Sequence, residues 1–483
     1  MTGGIGLFVS AFFFAFLGIV IMLFFLLPVR FRPAILLVSS YVFCGFVEIR
    51  ALMVLVIISF STWAIGLKIE KLRTGGNIFF SKVCVITAVV IYCFILCGYK
   101  YLPCILTRFG GGQMPEGVLK QFIMPVGLSF YMFQAIGYLA DIYQGKSRAE
   151  RSFLLFGCHL SFFPKLVSGP IERERDFLPQ LKSLSKVKAW DRGRLSTAFT
   201  YMLWGYFMKM VVADRLAVTV NKIFDNPGGF DSFWLIVGML FYTIQIYCDF
   251  AGYSYIAIGC AKIFGLTLTQ NFKAPYLADS ISDFWRRWHV SLSTWLRDYI
   301  YIPLGGNRKG VIRKCVNTLA VFLICGMWHG SGMNFIIWGL LHGFYSIVET
   351  VLRKIGWKGQ GGQIVTFFSV AFAWIFFRAD NAAAGFAYVG RMFTAGVNLG
   401  EWNTMGRALA LNRVEIGVTL IGITVIWLVD SLCNRKKLHL PVLIQYKENA
   451  SRYFVFYLLI MAIFIFGIYG PGYHAEQFIY MQF

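Results

Sequence analysis

Apolar runs of about twenty residues recur along this chain, and a run of that length crosses a bilayer core as an α-helix. Residues 6–27, 84–99, 417–429 with their flanks, and 454–469 are the plainest. In lipid every backbone N–H and C=O must be paired within the protein, so only helices and closed barrels can span. The alternating pattern of barrel strands is absent from the sequence. The pattern therefore predicts an all-α, polytopic membrane protein with about eleven or twelve transmembrane helices, plus re-entrant or interfacial helices. Only 14% of the 483 residues are charged, against about 25% in soluble proteins. No internal repeat or low-complexity linker interrupts the pattern, so one membrane-embedded domain is expected over residues 1–483. The first apolar stretch lacks a basic lead and a cleavage site, and is read as a retained span.

The formal charge is +22, from 45 Lys and Arg against 23 Asp and Glu. Two compatible readings follow. Basic residues hold cytoplasmic loops in place, and a basic funnel would draw in a polyanion such as a nucleotide-linked donor. Their scatter between spans argues against nucleic acid as a partner. Clusters at Arg30/Arg32, at Lys68/Lys71/Arg73/Lys82 and at Lys146/Arg148/Arg151 alternate with spans if the N-terminus is outside. The next basic stretch, 173–194, must also be cytoplasmic. A single crossing over 153–167 would place it on the wrong side. That segment contains Pro164 and Lys165 and is expected to be re-entrant or shallow. The remaining basic clusters lie inside, and both termini lie outside.

The eleven cysteines sit mostly in apolar segments, with no disulfide or zinc spacing. No metal and no bound cofactor are implied. Walker, GxSxG, HExxH and GxGxxG motifs are all missing, which speaks against ATP-driven transport and soluble-type hydrolysis.

Two polar stretches stand out: SISDFWRRWHVSLSTWLRDYIYIPLGGNR, with His289, and CGMWHGSGMNFIIWG, with His329. Ionisable groups among membrane segments are costly and usually mark a site or a path. Read as one helix over 282–301, Arg286, His289, Ser293 and Arg297 share a cationic face, while Trp285, Trp288, Leu292 and Trp295 share another. The face fits either an interfacial helix anchored by tryptophan or the wall of a cytoplasmic entry. His329 ends an apolar run between Gly326 and Gly330, toward the outer half of the membrane. A neutral imidazole there can take a proton from a hydroxyl, or it can be a hydrogen-bonded core histidine. His342 reads more readily as a packed histidine at a small-residue helix contact. Asp249 would either hold a histidine nitrogen, line a channel or form an intramembrane bridge.

Residues 283–308 and the WHG…WG…HG pattern of 328–343 resemble the membrane-bound O-acyltransferases, and within them the bacterial alginate O-acetyltransferase group. The likeness runs through 125–143, 162–173, 247–259, 271–276 and the closing QFIYMQF at 477–483. It implies acyl transfer coupled across a bacterial inner membrane, with His329 as the catalytic histidine and His289 lining a cytoplasmic funnel. The donor would be acetyl-CoA or a similar thioester, its charged head held by Arg286, Arg287, Arg297 and Arg308 with Lys309. An outer-side acetyltransferase partner would then decorate an exported or cell-wall polysaccharide. The pattern departs at Ala251 and Tyr255, where the family often has Ser and Asp, and at Met333 and Asn334, where Trp and Thr are common. A D-alanyl transferase acting on teichoic acid is the near alternative, and a transporter of an acyl donor or glycan is the alternative of a different class.

Overall fold

The computed structural model of the protein describes residues 8–109, 124–356, 362–397, 412–445 and 449–469. The closing QFIYMQF lies outside the described residues. Among the described residues there are helices and no strands. Among the described residues seven helices are long and apolar enough to cross a membrane, and three shorter ones are apolar as well. The chain is a multi-pass membrane protein. It divides into two compact units, one of Leu7–Ala198 with Ala257–Thr269, the other built on Phe199–Ile256 and Gln270–Phe483.

In the first unit α1 (Ala11–Leu26), α2 (Arg32–Val47), α3 (Ile49–Thr74) and α4 (Ile78–Phe109) are apolar on nearly all sides, as lipid-facing helices must be. α3 and α4 pack on α5 (Leu128–Gln144), which is buried along almost its whole length. The segment expected not to cross folds as α6 (Phe153–Ser161) and α7 (Phe163–Leu166). Nine residues rise only about 14 Å, less than half of the ~30 Å hydrocarbon core. Its lysine is matched within the protein. The buried Lys165 amine donates to Gln134 Oε1, and the buried Arg32 guanidinium donates to the carbonyls of Leu184 (2.7 Å), Val187 (2.8 Å) and Phe24 (3.2 Å). α8 (Glu174–Lys182) lies within the basic stretch 173–194.

Residues 192–225 form one helical path: α9 (Arg192–Tyr206), a π-helical segment (Phe207–Ala213) and α10 (Asp214–Asp225). The π-segment presents Lys209, whose amine lies 2.7 Å from Asp214 Oδ1 and 2.6 Å from Asp249 Oδ1. All three side chains are 2–3% exposed. Of the readings open for Asp249, the structure gives the intramembrane bridge. Asp249 belongs to α11 (Ser232–Ile263), and the next residue, Phe250, packs on His289.

α12 (Ile281–Arg287) and α13 (Val290–Leu296) are short, and a π-turn (Arg297–Tyr301) follows. α14 (Gly310–His329) and α15 (Met333–Lys354) form an antiparallel pair. A Cβ on Gly326 would meet the Phe335 carbonyl oxygen at 2.4 Å, and one on Gly339 the Phe322 oxygen at 2.3 Å. The two glycines thus let the backbones touch, as small residues do between membrane helices. That contact sets His329 against Trp338 of the facing helix. α16 (Gly362–Arg378), α17 (Ala382–Thr394), α18 (Arg413–Lys436), α19 (Leu440–Gln445) and α20 (Asn449–Phe466) complete the second unit.

Candidate functional site

The single helix expected over 282–301 is not formed. It breaks at Trp288 and His289, with Trp288 extended (φ −99°, ψ 128°) and His289 left-handed (φ 45°, ψ 53°). Residues one apart on a helix point about 100° apart, yet Trp288 and His289 are 1% and 0% exposed. The break lets both enter the core. The amides it frees are taken by residues 271–273: Val290 N–H donates to the Asn271 carbonyl (3.0 Å) and Ser291 N–H to its side-chain oxygen (3.1 Å), while Lys273 N–H donates to the Arg287 carbonyl (3.0 Å). Arg286, His289, Ser293 and Arg297 therefore do not share one face.

The break carries His289 toward His329 through an aromatic core. Ring centroids lie 6.2 Å apart for His289 and Trp328, 4.8 Å for Trp328 and His329, and 4.9 Å for His329 and Trp338. Phe250 closes on His289 at 4.8 Å and Phe377 on His329 at 5.2 Å. His289 lies outside the spanning helices, and burial pushes its imidazole down to about 3, so the ring is neutral at physiological pH. Both histidines are buried, His329 at 2% exposure.

His342 belongs to the same cluster. Its ring is 5.1 Å from Trp338, and its Nδ1 accepts from Trp285 Nε1–H at 3.2 Å. An indole nitrogen only donates, so Nδ1 is the acceptor and the neutral ring carries its proton on Nε2. That Nε2 has no hydrogen-bond partner among the described residues. The departure at Asn334 also has a role: its amide donates to the Phe376 (3.2 Å) and Ala379 (2.9 Å) carbonyls, tying the start of α15 to the end of α16.

A cavity of about 450 Å³ opens beside α12. Its lining includes Lys273, Asp283, Arg286, Arg287, Asp430 and Lys437, four cations and two carboxylates. Arg287 is held by Asp283 Oδ2 (2.7 Å) and Asn434 Oδ1 (2.7 Å), and Arg286 Nε donates to the Ser282 carbonyl (3.1 Å). Tyr247 donates to Asp430 at 2.8 Å. Arg297 and Arg308 do not line this cavity. Arg297 pairs with Asp298 at 2.7 Å with its side chain 59% exposed, and Arg308 is exposed in the turn before α14. Sequence reasoning passed over Lys273, Asp430, Asn434 and Lys437, because no local pattern announces that residues 270–274 and the end of α18 close on α12. Among the described residues no His, Cys, Asp and Glu cluster could hold a metal ion.

The model of the membrane-bound O-acyltransferase family matches residues 150–380, which include both histidines. The chain is 34% identical to a probable alginate O-acetylase of Pseudomonas putida, over 84% of this chain and 82% of that one. It is 32% identical to a peptidoglycan O-acetyltransferase of Helicobacter pylori over 72% and 71% of the two chains. A teichoic acid D-alanyltransferase of Bacillus subtilis is 27% identical over 59% and 78%. With His289 and His329 buried on a shared aromatic core beside a cationic cavity, and with these relatives, the chain belongs to the membrane-bound O-acyltransferase family and is an O-acyltransferase.

Proposed function

We propose that the protein moves an acetyl group from a cytosolic acetyl-CoA-type thioester to a hydroxyl on the outer side of a bacterial inner membrane, toward O-acetylation of an exported or cell-wall polysaccharide. The observation that carries this reading is the burial of His289 and His329 on one aromatic core, each ring within 6.2 Å of Trp328. Arg286 and Arg287 at the cavity would hold the donor's phosphates. The thin thioester arm would pass the break at His289, whose neutral ring adds no charge to that path. His329 would accept the proton of the acceptor hydroxyl as its oxygen attacks the thioester carbonyl, and the thiolate would leave and take a proton. The acceptor would be presented by an outer-side acetyltransferase partner. The names of the alginate and peptidoglycan relatives support a polysaccharide as the final acceptor.

The D-alanyl reading is supported by more distant relatives only, and it differs in using a carrier-protein thioester. Proteoliposomes supplied with radiolabelled acetyl-CoA and the partner test the proposal. Label should reach a lumenal acceptor with the wild type, and His329→Ala should slow transfer by about 10²–10⁴, the usual worth of a general base. Equal transfer by folded His329→Ala sinks the assignment of that residue. No transfer from acetyl-CoA, with transfer from a charged carrier protein, turns the reading to the D-alanyl class.

A further inference from the structure

The cationic cavity has an apolar neighbour. A groove of about 610 Å³ is walled by the π-segment, α18, α19 and α20, with Phe207, Val211, Ile421, Val425, Leu458 and Ile465 in its lining. Trp204, Val429 and Leu440 border both spaces. Along α18 the lining runs from Val418 to Leu432, fourteen residue steps, or about 21 Å at the helical rise. One leaflet offers about 15 Å of hydrocarbon, so the groove can take a whole lipid tail. Its lining is apolar along that whole length, as an extended alkyl chain requires. At the end shared with the cavity, the exposed run Arg435, Lys436 and Lys437 closes α18, followed by the exposed His439. Lys437 and His439 also line the cavity.

We propose that this groove is a binding site for an anionic phospholipid of the cytoplasmic leaflet. One acyl chain fills the groove, and the phosphate meets Lys437 and its basic neighbours at the mouth. Charge complementarity favours an anionic headgroup over a zwitterionic one. A tail held between the π-segment and α20 stiffens the end of α18 that brings Asn434 to Arg287. The proposal does not depend on which acyl group is transferred, because the groove is assigned to neither donor nor acceptor and, of the cavity's cations, only Arg286 and Arg287 are given to the donor.

The test reconstitutes the full chain in vesicles of equal phosphatidylcholine and phosphatidylglycerol, with a trace of either lipid carrying a photoreactive group in its acyl chain. Cross-links are mapped by mass spectrometry. The expected result is label concentrated on α18 and α20 around Val425, with phosphatidylglycerol exceeding phosphatidylcholine about fivefold, the factor for one basic side chain at a membrane surface. Val425→Trp should remove the label by filling the groove, and Lys437→Gln should bring the two lipids to equal yield. Equal labelling by both lipids in the wild type, or label spread evenly over every lipid-facing helix, overturns the proposal. A photoreactive residue at position 421 that captures a polypeptide instead of lipid overturns it too. The wild-type map decides the matter even where Val425→Trp fails to fold.

Discussion

Lys209→Met gives the sharpest test of how the buried polar groups hold this site together. The amine lies 2.6 Å from Asp249 and 2.7 Å from Asp214, and no side chain of the three is more than 3% exposed. Removing the lysine leaves two buried carboxylate oxygens no more than 5.3 Å apart, the two bridge lengths end to end. At an effective dielectric of about 20, two unit charges at that distance repel by roughly 3 kcal/mol. Breaking a buried pair by taking one partner costs about 3–5 kcal/mol in general, so the two estimates agree. The lost cross-brace ties the π-segment to α11, and α11 sets Phe250 against His289. Acyl transfer should therefore fall together with stability. The assay is the fraction of protein that stays monodisperse after heating in detergent, followed across a temperature series. Lys209→Met should lose most of its resistance. Lys209→Met/Asp249→Asn should regain roughly the 3 kcal/mol of repulsion, because one carboxylate has become an amide. A Lys209→Met protein that matches the wild type in both heating and transfer would refute the reasoning, since the charges would then be solvated and the bridge idle.

Three further outcomes follow from the geometry. His342→Phe leaves the half-buried Trp285 Nε1–H without its acceptor and should cost about 1 kcal/mol; adding Trp285→Phe should recover most of this, a non-additivity readable from the same heating series. Arg286→Gln and Arg287→Gln, at the cavity, should raise the KM for an acetyl-CoA donor roughly tenfold or more, the scale of a lost charge-assisted hydrogen bond, whereas Arg297→Gln and Arg308→Gln should leave it unchanged in steady-state transfer assays. His289→Gly and His289→Ala both lose the buried ring, but only glycine accepts the left-handed backbone without strain, so His289→Ala should be about 1–2 kcal/mol less stable than His289→Gly; equal stability of the two would mean that the chain does not need the break.

The polytopic, all-helical class was legible because a bilayer imposes a length and a composition, and apolar runs report both. The short crossing-incompatible segment at 153–167 was legible through charge topology, since only a shallow element keeps 173–194 on the basic side. The break at His289 was not legible. Periodicity counts side chains on the faces of a continuous helix, and FWRRWH satisfies that count. What ends the helix is Asn271, eighteen residues away, whose carbonyl and side chain take the amides of Val290 and Ser291. The same non-locality hid Lys209 as the partner of Asp249, forty residues apart, and the closing of Asn434 on Arg287. It also explains why two of the four arginines expected to act together are elsewhere. Arg286 and Arg287 precede the break and face the cavity. Arg297 follows it, and the reversal at His289 turns the remainder of the pattern away. A histidine in left-handed backbone thus does two things that a sequence pattern records as one. It supplies a ring to the aromatic core, and it decides which cations stand at the mouth.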